Sequence, residues 1–210
     1  LLSSLALSLL AVILFVVIIG PWPVYRDSRY VDSEFFKQTL QRIDEHLKQV
    51  KMTNSPGSLQ AGWAERDMTP PVGTPMAGFP GRSNEKRCTS VNDPVFTRAI
   101  VLSDGRDTVA LVGSDMLMTT QNLAEKVWAL AAKETALTID AILFTTSHNH
   151  SGPGAFAPGL LPEFSYGDYD PAVEEKIVSA MADAIVAAYK AMVPAKIAHA
   201  GLLHGSLTGD

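Results

Sequence analysis

Two histidines, His148 and His150, stand in the stretch TTSHNHSGPG, between a run of β-forming residues and a glycine-proline-glycine turn. The whole chain holds only 5 histidines, so two of them one residue apart are a concentrated use of this residue type. Imidazole is the commonest metal ligand in proteins and the usual proton carrier near neutral pH. The spacing therefore indicates chemistry, and the plainer alternative is a pair of loop histidines held by backbone hydrogen bonds.

The patterns around this pair predict where it lies in a fold. TVALVGSD and AILFTTSHNH are typical of buried strands, and the helical pattern between them begins at Thr119 or Thr120 and runs to about Ala136. Strand, helix and strand in that order predict a βαβ unit with parallel strands and a right-handed crossover. Ligands of open α/β sheets collect beyond the carboxyl ends of such strands, so we expect Asp115 and both histidines to share one crevice.

Each residue of this crevice has an expected role. Residues i and i+2 of an extended backbone point to one side, so the two imidazoles can converge on one ion or divide into ligand and proton carrier. Imidazole and carboxylate ligands favour zinc, with manganese or iron as alternatives. Gly152 and Gly154 flank Pro153 in a turn of little bulk, where a substrate can approach the backbone. For Asp115 the plainer alternative is a cap on the turn after its strand.

The neighbouring patterns predict a mixed sheet. VFTRAIVLS and TVALVGSDM are joined by DGRD, in which Asp104-Gly105 is a strong signal for an antiparallel hairpin. Gln60 to Arg66 predicts an edge strand ahead of that hairpin. The fold class expected is therefore α/β, with a mixed sheet that contains the βαβ unit and carries flanking helices.

The carboxyl-terminal patterns predict a helix and one further strand. Asp170-Pro171 combines an N-cap with proline at the first helical position, and the helix is expected to end before Pro194. Residues 195–205, AKIAHAGLLHG, predict the strand. His199 and His204 fall on opposite faces of it, so we expect them to be ordinary core or surface residues.

The amino-terminal residues predict membrane attachment. Residues 1–20 carry no charge, and about 20 such residues at 1.5 Å each can span a bilayer core of about 30 Å. We expect a transmembrane signal anchor, with a cleaved signal peptide or a buried core helix as alternatives. Residues 21–58 predict a juxtamembrane amphipathic helix, beginning near Ser33, and a linker. Residues 59–210 then form the α/β domain, which we expect to be exported to the periplasm or the cell exterior.

Composition excludes several classes of function. The net charge is -5 and the basic residues are scattered, so a nucleic-acid-binding surface is not expected. The single cysteine, Cys88, excludes an intrachain disulfide framework and a thiolate metal site. The hydrophobic share of 47% is ample for a packed core.

Three blocks of sequence together resemble one known family. AERDMTPPVGTPMAGF, VFTRAIVLSDGRDTVALVGSDM and AILFTTSHNHSGPG are similar, in order and spacing, to the amino-terminal part of the neutral/alkaline non-lysosomal ceramidases. That family's pattern has an ADITPP-like entry followed by M-x-G-Y/F, a strand pair ending in S-x-D, and an H-T-H-S-G-P turn. The resemblance covers about residues 62–154 and extends through the next helix and strand. It implies zinc-dependent cleavage of the amide bond of ceramide, a lipid-like substrate.

Carried over by position, the resemblance implies that His148 is a zinc ligand and His150 a catalytic residue beside the metal. Asp115 matches the S-x-D block and is given a supporting role behind the ligands. Asn149 departs from the threonine usual in that turn, and residues 155–170 lack the expected aromatic pattern, so the acyl-chain pocket is expected to differ.

The family's remaining zinc ligands and its substrate-binding serine motif lie further along than residue 210. We therefore expect this chain to be an amino-terminal fragment that is inactive alone. Two other functions stay open: a non-catalytic, membrane-anchored envelope protein that keeps the fold and binds a ligand, and a hydrolase for another acylated amine or ester. Metal at His148 would separate the binding protein from the enzymes.

Overall fold

The structure is a computed structural model that describes residues 2–19, 30–49 and 58–198, and it divides the chain into two compact units, residues 1–55 and 56–210. In the first unit, α1 covers Leu2–Ile19 and α2 covers Glu34–Gln49. A 3-10 turn, Tyr30–Asp32, comes just before α2. The Oγ of Ser33 accepts a hydrogen bond from the N–H of Phe36 at 3.2 Å, so the predicted amphipathic helix begins with the expected type of cap.

The membrane-spanning helix expected over residues 1–20 is not found. Among the described residues, no helix combines the length and the apolar character needed to cross a bilayer. The side chains described in α1, residues 6–18, are all exposed within the unit.

The second unit is built on a five-stranded mixed sheet in the order β4-β3-β2-β1-β5. Its strands are Gln60–Asp67 (β1), Phe96–Ser103 (β2), Thr108–Ser114 (β3), Ile142–Thr146 (β4) and Val193–Pro194 (β5). β2 and β3 form the predicted antiparallel hairpin, and β3 and β4 form the predicted parallel pair. The expected α/β class with a mixed sheet is confirmed.

The described part of this unit contains three α-helices: α3, Gln121–Ala131, α4, Leu160–Tyr166, and α5, Pro171–Lys190. Thr120 caps α3, its side chain accepting from the N–H of Leu123, and Asp170 caps α5 by accepting from the N–H of Ala172. Both caps lie where the sequence predicts them. α3 ends earlier than expected, and residues 132–134 form a turn after it.

Two strand predictions are wrong in position. β1 is not an edge strand, because β5 pairs antiparallel with its first residues. The last strand is Val193–Pro194 and not residues 195–205: the described residues 195–198 contain no strand, and the rest of that prediction lies outside the described residues. Proline has no N–H to donate to a ladder, which limits the length of a strand that contains it.

One face of the sheet carries the core and the other does not. α5 packs on the inner face through Ile177, Met181 and Ile185, all fully buried. On the outer face, strand register aligns Trp63, Ile100, Leu111 and Leu143 in one row across four strands. All four side chains of this outer row are exposed, Trp63 at 71% and Leu143 at 58%.

Candidate functional site

The site begins where two parallel strands end together. The last residues of β3 and β4, Ser114 and Thr146, are partners in the register, and the N–H of Ser147 donates to the carbonyl of Ser114 at 3.1 Å. The chain segments that follow both strands therefore leave the sheet side by side. This places Asp115 and the histidine turn, residues 147–154, at the same end of the sheet, as the βαβ pattern predicts.

His148 is oriented by the segment that follows β3. Its Nδ1 lies 2.9 Å from the carbonyl oxygen of Leu117, which also accepts a hydrogen bond from the hydroxyl of Thr146 at 3.2 Å. A carbonyl oxygen can only accept, so Nδ1 carries the proton in the neutral ring and Nε2 keeps its lone pair. The side chain is exposed. A histidine held in this way presents Nε2 as a free metal ligand.

His150 lies beside His148 and against an aromatic ring. The two imidazole centroids are 5.6 Å apart at an interplanar angle of 72°, and the ring of Phe79 meets His150 edge-on at 5.9 Å. A Cβ at Gly78, whose φ is +91°, would lie 2.5 Å from Nδ1 of His150. The imidazole can therefore occupy this position only because residue 78 is glycine.

The histidines come together by a route other than the expected one. β4 ends at Thr146, and His148 has a φ of 53°, so the alternation of an extended backbone does not apply to this pair. A non-glycine residue at positive φ is uncommon and is often found at functional sites. The turn geometry, and not strand geometry, brings the rings to one side.

Asp115 is directed toward β2. Its Oδ2 accepts from the N–H of Phe96 and from the guanidinium of Arg98, each at 3.0 Å. Arg98 also pairs with Glu65 at 2.7 Å, and its pKa is raised, chiefly by the hydrogen bond to Asp115. Within the described part of the chain, this carboxylate hydrogen-bonds to neither imidazole. Its placement at the strand end is as expected, while its contacts are those of a residue that ties β3 to β2.

Gly152 and Gly154 are buried where the turn meets the protein's own backbone. A Cβ at Gly152 would lie 2.9 Å from the carbonyl oxygen of Asp115, and one at Gly154 would lie 2.1 Å from that of Tyr166. The N–H of Gly154 donates to the carbonyl of Pro75 at 2.7 Å. Gly152 lines a cleft of about 500 Å³ and Gly154 does not. The small size of both glycines therefore allows the turn to pack closely against other backbone segments of the protein.

Sequence reasoning missed three contributors. Phe79 belongs to the quoted M-x-G-F block but received no role, and the carbonyl of Leu117 carries no sequence signal at all. α4 was not predicted, although Pro162 near its start is typical of a first helical turn. Its last residue, Tyr166, stacks on Phe156, and burial raises its pKa.

The donor set fits zinc in type but not in number. Imidazole Nε2 is a normal zinc ligand, and catalytic zinc sites use three protein ligands and keep one position open. In residues 2–19, 30–49 and 58–198, no cluster of three or more His, Cys, Asp or Glu side chains is placed to hold a metal. Zinc at His148 would need further ligands from outside this part of the chain.

Comparison with known proteins gives consistent matches. The model of the neutral/alkaline non-lysosomal ceramidase family, N-terminal part, matches residues 59–205. A neutral ceramidase of Mycobacterium tuberculosis is 27% identical over 140 residues, 64% of this chain and 21% of the relative.

Two solved structures share the fold. The neutral ceramidase from Pseudomonas aeruginosa matches with a TM-score of 0.59 and 22% identity over 66% of this chain. A ceramidase complexed with C2 matches with a TM-score of 0.57 and 23% identity over the same share. This chain spans about a fifth of the length of these relatives.

Proposed function

The chain belongs to the neutral/alkaline non-lysosomal ceramidase family, and we propose from this that it forms the amino-terminal part of a zinc-dependent catalytic domain that hydrolyses ceramide or a related lipid amide. Membership supports a ceramide hydrolase at the level of the family. The observation that carries the assignment to this site is the orientation of His148, whose Nδ1 is held by Leu117 so that Nε2 is free.

We propose His148 as a zinc ligand and His150 as the catalytic residue beside the metal. When bound, zinc would polarise the amide carbonyl and lower the pKa of a water molecule. His150 would accept a proton from the attacking water as the new carbon–oxygen bond forms. It would return that proton to the amine nitrogen as the carbon–nitrogen bond breaks, which releases the amine and a fatty acid.

Asp115 is proposed to support the site from the sheet. Through Arg98 and the N–H of Phe96 it ties the start of the segment that carries Leu117 to β2. Since Leu117 orients His148, the position of this segment sets the direction of the ligand. Gly152 is proposed to let a substrate approach from the cleft that it lines, and Gly154 to hold the turn in place for the same purpose.

A lipid-like substrate is supported by the exposed apolar side chains of α4. Leu160 of α4 is 88% exposed, and Leu161 and Phe164 of the same helix are also exposed. α4 contacts the segment that carries Phe79, because the N–H of Gly81 donates to the carbonyl of Phe164 at 2.7 Å. The ring of Phe79 in turn contacts His150. Acyl chains bind to such surfaces by burying apolar area.

The ceramidase assignment is tested by hydrolysis of fluorescently acylated ceramide by a full-length protein that contains this chain. We expect fatty acid release that stops on chelation with 1,10-phenanthroline and returns when zinc is added. Residues 1–210 alone should show no release, since one or two histidines do not complete a zinc site. Turnover that persists in the metal-free protein would contradict the zinc assignment. Cleavage of short acyl amides but not of ceramide would favour the other hydrolase.

We also propose that α1 attaches the chain to a membrane and that the catalytic unit is exported. The support is the composition of residues 6–18, which are exposed and contain no charged side chain. Removing residues 1–20 should release the protein from sedimenting membranes into the soluble fraction, and protease added to intact cells should cleave the second unit. Unchanged sedimentation of the truncated protein would show that α1 is not the attachment.

A further inference from the structure

The side chain of Asn149 bridges the histidine turn from within. Its Nδ2 donates to the hydroxyl oxygen of Ser147 at 2.8 Å, and its Oδ1 accepts from the N–H of Ser151 at 3.2 Å. These two partners stand immediately before His148 and immediately after His150. The amide orientation follows from the contacts, because a backbone N–H can only donate and so must face the oxygen.

The backbone between these partners needs to be held. His148 has a φ of 53°, a conformation that costs free energy for a residue with a Cβ and persists only where neighbouring contacts fix it. Asn149 is partly buried, whereas both histidines are exposed. An asparagine that closes its own turn in this way restricts the backbone on both sides of it.

The space for this amide depends on Gly152. A Cβ at residue 152 would lie 2.8 Å from Oδ1 of Asn149, closer than a carbon and an oxygen can approach. The bridge and the glycine are therefore parts of one arrangement. A side chain at 152 would displace the amide even if the rest of the turn were kept.

We propose that Asn149 is the positioning residue of the histidine turn. By fixing Ser147 and Ser151, it holds His148 at positive φ, so that Nδ1 meets the carbonyl of Leu117 and Nε2 faces outward beside His150. Asn149 touches neither substrate nor metal in this role. The effect of Asn149 on catalysis rests on the proposed function, whereas its effect on the geometry of the turn does not.

The test is the tautomer of His148 in the chain, measured by long-range ¹H–¹⁵N NMR of the imidazoles at a fixed pH well above about 6.5, where an ordinary histidine is neutral. In the native chain we expect the Nδ1–H form to dominate. Asn149→Ala should lower the ratio of the Nδ1–H to the Nε2–H form roughly five- to tenfold, the effect of losing one hydrogen bond of ordinary strength. Asn149→Asp keeps the acceptor for the N–H of Ser151 and reverses the bond to Ser147, whose hydroxyl can donate to the carboxylate, so it should restore the native ratio.

Asn92→Ala is the matched control, because Asn92 lines the same cleft but its side chain donates to its neighbour Asp93 and not to the histidine turn. Asn92→Ala should leave the tautomer ratio of His148 unchanged. The signals of His46 on α2 should stay the same in all of these variants. An unchanged ratio in a folded Asn149→Ala chain would overturn the proposal. If that variant does not fold, Ser147→Ala removes only the hydrogen bond between Asn149 and Ser147. An unchanged tautomer ratio in Ser147→Ala would also overturn the proposal.

A catalytic readout separates this proposal from the proposed function. In a full-length protein that hydrolyses ceramide, Asn149→Ala should lower kcat about tenfold and change KM less than about twofold, since the substrate contacts are kept. A protein with no hydrolysis in any form, but with the expected tautomer change, would keep the positioning role and reject the ceramidase assignment. Normal kcat together with a changed tautomer would reject the importance of the tautomer for catalysis.

Discussion

His148→Ala will reduce zinc affinity and ceramide hydrolysis of the full-length protein by more than about 100-fold. Loss of a residue that merely orients a metal ligand costs about 10- to 100-fold, so loss of the ligand itself should cost more. His148 is the histidine whose Nδ1 is hydrogen-bonded to Leu117, which leaves the lone pair of Nε2 for a metal. Zinc content after dialysis and the rate of fatty acid release measure the two effects.

His150→Ala distinguishes the proposed role of His150 from that of His148. Without its proton carrier the protein should lose about 100- to 10,000-fold in turnover but keep its zinc, because His150 is proposed to move a proton and not to bind the metal. His46→Ala, on the exposed face of α2, is the control and should change neither quantity.

Retention of more than a tenth of the native activity by His148→Ala would exclude His148 as a zinc ligand.

Gly154→Ala will destabilise the second unit by about 3 kcal/mol or more, the upper range for overpacking a filled interior. The added methyl group would lie 2.1 Å from the carbonyl oxygen of Tyr166 and 2.7 Å from that of Pro75. Both atoms belong to the backbone and cannot rotate away. Thermal unfolding should show a fall in Tm of roughly 6 to 12 °C for a unit of this size.

Gly113→Ala gives the matched comparison. Residue 113 lies in β3, and its added Cβ would meet only the hydroxyl of Thr145, at an ordinary distance of 3.6 Å. Alanine at position 113 should leave the free energy of unfolding unchanged or raise it by about 0.4 to 1 kcal/mol, because it reduces the conformational entropy of the unfolded chain. If Gly154→Ala unfolds within about 2 °C of the native protein, the turn is not packed against the backbone of Pro75 and Tyr166 as described.

The elements that were predicted correctly have signals in their own residues. Asp104-Gly105 marks the β2–β3 hairpin, Asp170-Pro171 marks the start of α5, and the β-rich runs on either side of α3 require a parallel pair. Each of these signals acts over a few residues, through a preferred turn or a cap. Sequence is therefore sufficient to place Asp115 and the histidine turn at the same end of the sheet.

The orientation of the site residues could not be predicted in the same way. The atom that fixes His148 is the carbonyl of Leu117, 31 residues away, and any residue type would supply it. The carboxylate of Asp115 contacts Arg98, which stands on the neighbouring strand opposite Gly113. The strand pattern of residues 195–205 could not show that the first residues of β1 pair instead with Val193–Pro194, because that pairing partner is distant in the sequence.

The bare outer row of the sheet has a consequence for handling the protein. Trp63, Ile100, Leu111 and Leu143 are neighbours on adjacent strands, and all four are exposed in the described part of the second unit. Contiguous apolar surface of this kind favours self-association and precipitation in water. The 210-residue chain will therefore be prone to aggregate as its concentration rises, and mild detergent or a polar replacement such as Leu143→Lys should keep it dispersed without touching the histidines.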